Sequence, residues 1–141
     1  MKRVGSSGAR TAARLLLSAF LMFAGTAHLT VARAEFAAQV PAWLPLDTDF
    51  VVVASGVVEL FLGAALIAPG RFRVIVGWVV AAFFVAIFPG NVSQYVDGDD
   101  AFGLDSDSAR ATRLAFQPAL VALALWSTGA WSAWRSARRP A

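Results

Sequence analysis

Six polar side chains stand within or at the ends of apolar stretches, and through them this chain could do chemistry: His28, Glu59, Asn91, Gln94, Arg113 and Gln117. Glu59 is the most costly of them. It interrupts residues 50–68, otherwise a nearly unbroken apolar run. At the middle of a membrane helix an acidic side chain costs about 2.5–3.5 kcal/mol on insertion scales. A carboxyl group so placed can take up and release a proton, which makes Glu59 the proton-handling candidate. The imidazole, the three amides and the guanidinium can hydrogen-bond a carbonyl or hydroxyl of a small organic molecule. All six are therefore ligand-binding candidates, and residue types alone assign no catalytic step.

Each residue also has a plainer reading. Buried amides in membrane bundles often join helices, at about 0.6 kcal/mol each. His28 can pair with Glu59 or with a backbone carbonyl, and Glu59 can belong to a structural ion pair. Arg113 can anchor a helix end and snorkel to water.

The elements that must position these residues follow from composition. Apolar residues make up 58% and charged residues 15% of 141, with a mean hydropathy of +0.64; soluble domains hold about 45–50% and about 25%. The chain reads as a single all-α, polytopic membrane domain spanning 1–141. It has no cysteine and one histidine, which removes thiol chemistry, iron–sulfur clusters, bis-histidine haem and histidine-based zinc, so no metal site is expected. The basic residues fall at helix ends rather than along one patch, so nucleic acid is not an expected partner.

Four segments approach the roughly 20 helical residues a hydrocarbon core requires: about 12–32, 50–68, 74–96 and 114–134. Between them lie a loop with Pro41 and Pro45, a Pro69-Gly70 turn, and an Asp/Gly/Ser-rich loop. Lys2, Arg3, Arg10, Arg14, Arg71, Arg73, Arg135, Arg138 and Arg139 occupy three stretches that contain no acid. The other two connections carry Arg33, Arg110 and Arg113 against Glu35, Asp47, Asp49, Asp97, Asp99, Asp100, Asp105 and Asp107. Under the positive-inside rule both termini are cytoplasmic and both acidic loops face outward. Trp43 and Tyr95 suit the outer interface; Trp78, Trp131 and Trp134 suit the inner one. A competing reading takes residues 1–34 as a signal peptide with Ala32-Arg33-Ala34 at its cleavage site.

The topology puts the polar residues in the outer halves of the helices. Glu59 lies about 13–14 Å below Phe50 at 1.5 Å per residue. Gly56, Glu59 and Gly63 share a helical face, as do Gly25 and His28, and small residues allow close packing. Asn91 and Gln94 share a face beside Pro89, which frees a carbonyl one turn earlier. Arg113 and Gln117 are four apart. The expectation is an outward-opening polar funnel with Glu59 at its base, in one hydrogen-bonded network with His28 and Gln117.

Five motifs in order then carry a family resemblance: Ala24-Gly25-Thr26-Ala27-His28, Val40-Pro41-Ala42-Trp43-Leu44-Pro45, Ser55-Gly56-Val57-Val58-Glu59-Leu60, Phe88-Pro89-Gly90-Asn91-Val92 and Arg113-Leu114-Ala115-Phe116-Gln117. From about residue 15 to 130 the chain resembles the DoxX-like family. The resemblance implies a small four-helix protein of the bacterial inner membrane. His28, Pro41, Pro45, Gly56, Glu59, Pro89, Asn91 and Gln117 fall on the family's characteristic positions. Leu29 departs from the phenylalanine common there, and Thr30-Val31 from a proline-containing stretch. In the family it resembles, some members are subunits of thiosulfate:quinone oxidoreductases, others are linked to membrane-associated oxidative-stress complexes, and many are known only as membrane proteins.

Three functions are expected to compete. The first is a membrane subunit that binds quinone or a partner in an oxidoreductase assembly, with no covalent cofactor and with electrons from a soluble oxidoreductase. The second is a non-catalytic binder or carrier of a small amphipathic molecule. The third is a structural or assembly subunit, in which the polar cluster fixes helix register. Beyond the lipid bilayer, a further copy of the chain is an admissible partner.

Overall fold

Polar caps set the beginnings of the long helices. Ser7, Asp47 and Ser106 each accept a hydrogen bond from the backbone N–H three residues on, satisfying a donor that the first helical turn leaves unpaired. The computed structural model describes residues 7–68 and 70–139. In order these form α1 (Gly8–Leu29), α2 (Arg33–Ala37), α3 (Thr48–Leu66), a 3-10 turn (Gly70–Phe72), α4 (Arg73–Asp97), α5 (Asp107–Ser127) and α6 (Ala130–Ala137). The described residues contain no strand. Lys2 and Arg3 of the basic N-terminal stretch, and Pro69 of the expected Pro69-Gly70 turn, lie outside the described residues.

Three helices are long and apolar enough to cross a membrane: α1, α3, and the 3-10 turn joined to α4. The fourth expected span, 114–134, is not a single straight helix. It is broken between α5 and α6, which together pass the same test but are bent by 71°. Local chemistry explains the break. Thr128 and Ser127 turn their hydroxyls back onto the Ala124 carbonyl, and Gly129 takes a left-handed φ of 79°, which ends a helix at little cost for glycine. The apolar run masked a Ser-Thr-Gly stop.

α1 packs on α3 and α4 on α5, the two most extensive helix contacts; α1–α5 and α3–α4 contacts close the bundle. The interior is divided along its length. One half is apolar, built from Leu17, Leu21, Leu62, Leu66, Val80, Phe84, Ala124 and Leu125. The other half holds buried His28, Glu59, Asn91, Gln94 and Gln117. Outward-facing side chains such as Phe23 and Phe61 are about three-quarters exposed, at 75% and 74%, a surface suited to lipid rather than water. Charge is divided as well. Arg14 reaches the Leu66 carbonyl at 2.6 Å and Arg10 reaches Ser132 at 3.4 Å at one end. The Arg33–Asp49 and Arg110–Asp100 pairs stand at the other.

Candidate functional site

The site begins at a glycine crossing. Gly25 of α1 lies against Gly56 of α3: a Cβ on Gly25 would come within 2.7 Å of the Gly56 carbonyl, and one on Gly56 within 2.7 Å of the His28 Cβ. The two helices run antiparallel, since Arg14 meets Leu66 and Ser18 meets Gly63. Side chains tilt toward the N-terminus of their own helix. His28 and Glu59, each three residues past its glycine, are therefore aimed at one another.

They meet with Nδ1 of His28 at 2.9 Å from Oε2 of Glu59. The same nitrogen lies 2.9 Å from the Ala24 carbonyl oxygen. A carbonyl can only accept, so Nδ1 carries a proton in this contact. Of these two contacts the one to Ala24 has hydrogen-bond alignment; Glu59 Oε2 is buried without a hydrogen-bond partner among the described residues. Proximity of the two groups is thus not a satisfied bond. Glu59 is 5% and His28 7% exposed, so no bulk water makes up the deficit.

Aromatic rings close this pair off. Phe36 of α2 stacks on the His28 ring with centroids 3.3 Å apart and planes 16° from parallel. Phe102, from the loop between α4 and α5, meets Phe36 edge-on at 4.7 Å. Its backbone N–H donates to the Glu35 carboxylate at 2.6 Å, and it holds a positive φ of 56°. For a bulky residue that conformation costs on the order of 1–3 kcal/mol, so its neighbours must fix it there. Arg110 organises the same loop. Its buried guanidinium donates to Asp100, Asp107 and the Leu104 carbonyl.

The amides form a separate ladder between α4 and α5. Asn91 donates to Gln117 at 3.0 Å, and Gln117 donates to the Phe84 carbonyl at 2.8 Å. Pro89 withdraws its N–H from Val85, four residues earlier; the carbonyl that Gln117 engages is the neighbouring one. One turn further out, Arg113 donates to Gln94 at 3.4 Å and Gln94 to the Asp99 carbonyl at 3.2 Å. Arg113 and Gln117 do not bond to each other. Each reaches across to α4 instead.

Two expectations are corrected by this geometry. Among the described residues no hydrogen bond joins the His28–Glu59 pair to Gln117. The link is aromatic, running from His28 through Phe36 and Phe102 to Arg113, whose guanidinium lies 5.1 Å from the Phe102 centroid. Nor is the base of the expected funnel open: His28 and Glu59 are buried, with Phe36 stacked on the His28 ring and Phe102 edge-on to Phe36. None of the six candidates lines the cleft at Arg10 and Arg73 or the groove at Trp43 and Phe88. Sequence reasoning passed over Glu35, Phe36, Phe102 and Arg110. The available signal was a phenylalanine just after an acid in each connection, Glu35-Phe36 and Asp100-Ala101-Phe102. Outside the spans, the Arg33 guanidinium is held above its usual range by its hydrogen bond to Asp49.

Residues 17–128 match the model of a family described as a domain of unknown function (DUF8561), and the chain belongs to that family. No curated protein and no solved structure matches it.

Proposed function

We propose that this chain is a multi-pass, DoxX-like protein of the bacterial cytoplasmic membrane, with both termini inside. In this reading it binds a quinone headgroup as a membrane subunit of an oxidoreductase assembly. The observation that carries the reading is Glu59: a buried carboxyl oxygen with no hydrogen-bond partner, beside a histidine whose Nδ1 is committed to Ala24. An acid kept only for packing would normally be fully hydrogen-bonded, because an unmade buried bond costs about 1–3 kcal/mol.

The chemistry asked of the chain is placement and proton transfer. A quinone ring is flat and suits the face that Phe36 now covers. His28 Nε2 accepts a hydrogen bond from a quinol hydroxyl, and Glu59 exchanges the proton that accompanies electron transfer. With no cysteine and a single histidine, the electrons come from a soluble partner. A second reading, an amphipathic-molecule binder without turnover, is favoured by a groove of about 630 Å³ lined by Trp43, Phe88, Pro89, Val92, Ser93 and Val96.

Photolabelling with an azidoquinone separates the two. Labelling in the segment containing Phe36 or Phe102, lost in Glu59→Gln, is the expected result. Labelling confined to the Trp43–Phe88 groove would favour the second reading, and none above a lipid control would remove both.

A further inference from the structure

The end of the bundle opposite the histidine carries a built site that the quinone reading does not use. A cleft of about 270 Å³ opens between the starts of α1 and α4 and the bend from α5 into α6, lined by Arg10, Arg73, Thr128, Gly129, Ser132 and Ser136 among others. Its cations are under-partnered. Among the described residues Arg73 Nε is buried with no hydrogen-bond partner, and its guanidinium has no ion pair. Among the described residues the Arg10 guanidinium makes only a 3.4 Å bond to Ser132 and a contact with the Trp126 ring. Behind them Arg14 spends one nitrogen on the Leu66 carbonyl and leaves Nε unpaired. The segments meeting here contain no acidic residue.

Buried donors without acceptors call for an anion, and converging guanidinium groups suit a phosphate. The surroundings identify its source. Trp126, Trp131, Trp134 and Phe72 stand partly exposed around this end, the arrangement of a membrane-interface belt. α6 turns 71° away from α5, as a helix lying along the interface does. The volume falls short of the roughly 300–1,000 Å³ of whole-ligand pockets and suits a headgroup whose chains remain in lipid.

We infer that this cleft binds the phosphate of an anionic phospholipid from the leaflet at the arginine-rich end, through Arg10, Arg73 and the Ser132 hydroxyl. The inference rests on residence in a membrane and not on quinone binding, so either can fail alone.

Native mass spectrometry of the full chain, released from detergent micelles doped with phosphatidylglycerol or phosphatidylcholine, tests it. Wild type should retain phosphatidylglycerol in preference to phosphatidylcholine. Arg73→Gln or Arg10→Gln should lower that retention about tenfold, as for loss of one charge-assisted contact, while Arg135→Gln should leave it nearly unchanged. Should the arginine variants fail to fold, Ser132→Leu fills the cleft with every charge intact and should evict the lipid. Equal retention of both lipids, or an equal loss in Arg135→Gln, would overturn the site. Displacement of phosphatidylglycerol by millimolar inorganic phosphate would overturn the lipid assignment in favour of a free-anion site.

Discussion

The two helix pairs of this bundle each bury a polar pair to a similar extent, and they treat it oppositely. Between α4 and α5, Asn91 and Gln117 bond to each other, and the remaining amide donor reaches the Phe84 carbonyl. Between α1 and α3, His28 turns its Nδ1–H to its own helix and leaves Glu59 Oε2 close but unsatisfied. The first arrangement is what interhelical adhesion looks like. The second has an open valence in a closed site, which a packing role does not require. Clustering treats the two pairs alike; hydrogen-bond satisfaction separates them.

The most damaging way to break the comparison is to remove the crossing that creates the acidic pair. Gly56→Leu places side-chain atoms where the His28 Cβ already lies, and overpacking typically costs about 1–3 kcal/mol, more where backbones touch. It should abolish monodisperse protein in size-exclusion chromatography, and normal yield would show that the crossing is not close-packed. Gln117→Leu comes next. It strands the Phe84 carbonyl and the Asn91 amide, so thermal unfolding should reveal a loss of about 1–3 kcal/mol. A neutral result would remove the adhesive role assigned to the amides.

Glu59→Gln sharpens the contrast. A structural buried ion pair broken on one side costs about 3–5 kcal/mol; here, with no aligned bond to lose, the change should stay below about 1 kcal/mol. A loss of the larger size in the same unfolding assay would make the pair structural. Smallest of all, Asp49→Asn breaks an ion pair between exposed side chains and should leave the unfolding temperature unchanged, as exposed pairs usually do.

The sequence supports these distinctions unevenly. The helices were legible because apolar length is a property of consecutive residues: α1, α3 and α4 fall within a few residues of the expected 12–32, 50–68 and 74–96. The separation of an apolar half from a polar half was legible for the same reason. The bend at Gly129 was not, since hydropathy averages across a local Ser-Thr-Gly stop. Nor was the choice of partners at the site. Helical spacing aligned Arg113 with Gln117, but each bonds across to α4, and that choice depends on the register between helices. Phe36 and Phe102 lie in connections 66 residues apart, and only the folded chain brings them over His28.

The central claim is that Glu59 faces a ligand while Gln117 holds helices together. Thermal unfolding of wild type, Glu59→Gln and Gln117→Leu, each with and without a short-chain ubiquinone, tests it most directly. The account predicts that quinone stabilises wild type and the less stable Gln117→Leu alike, and has no effect on Glu59→Gln. Stabilisation that survives in Glu59→Gln, or is absent from wild type, would contradict it.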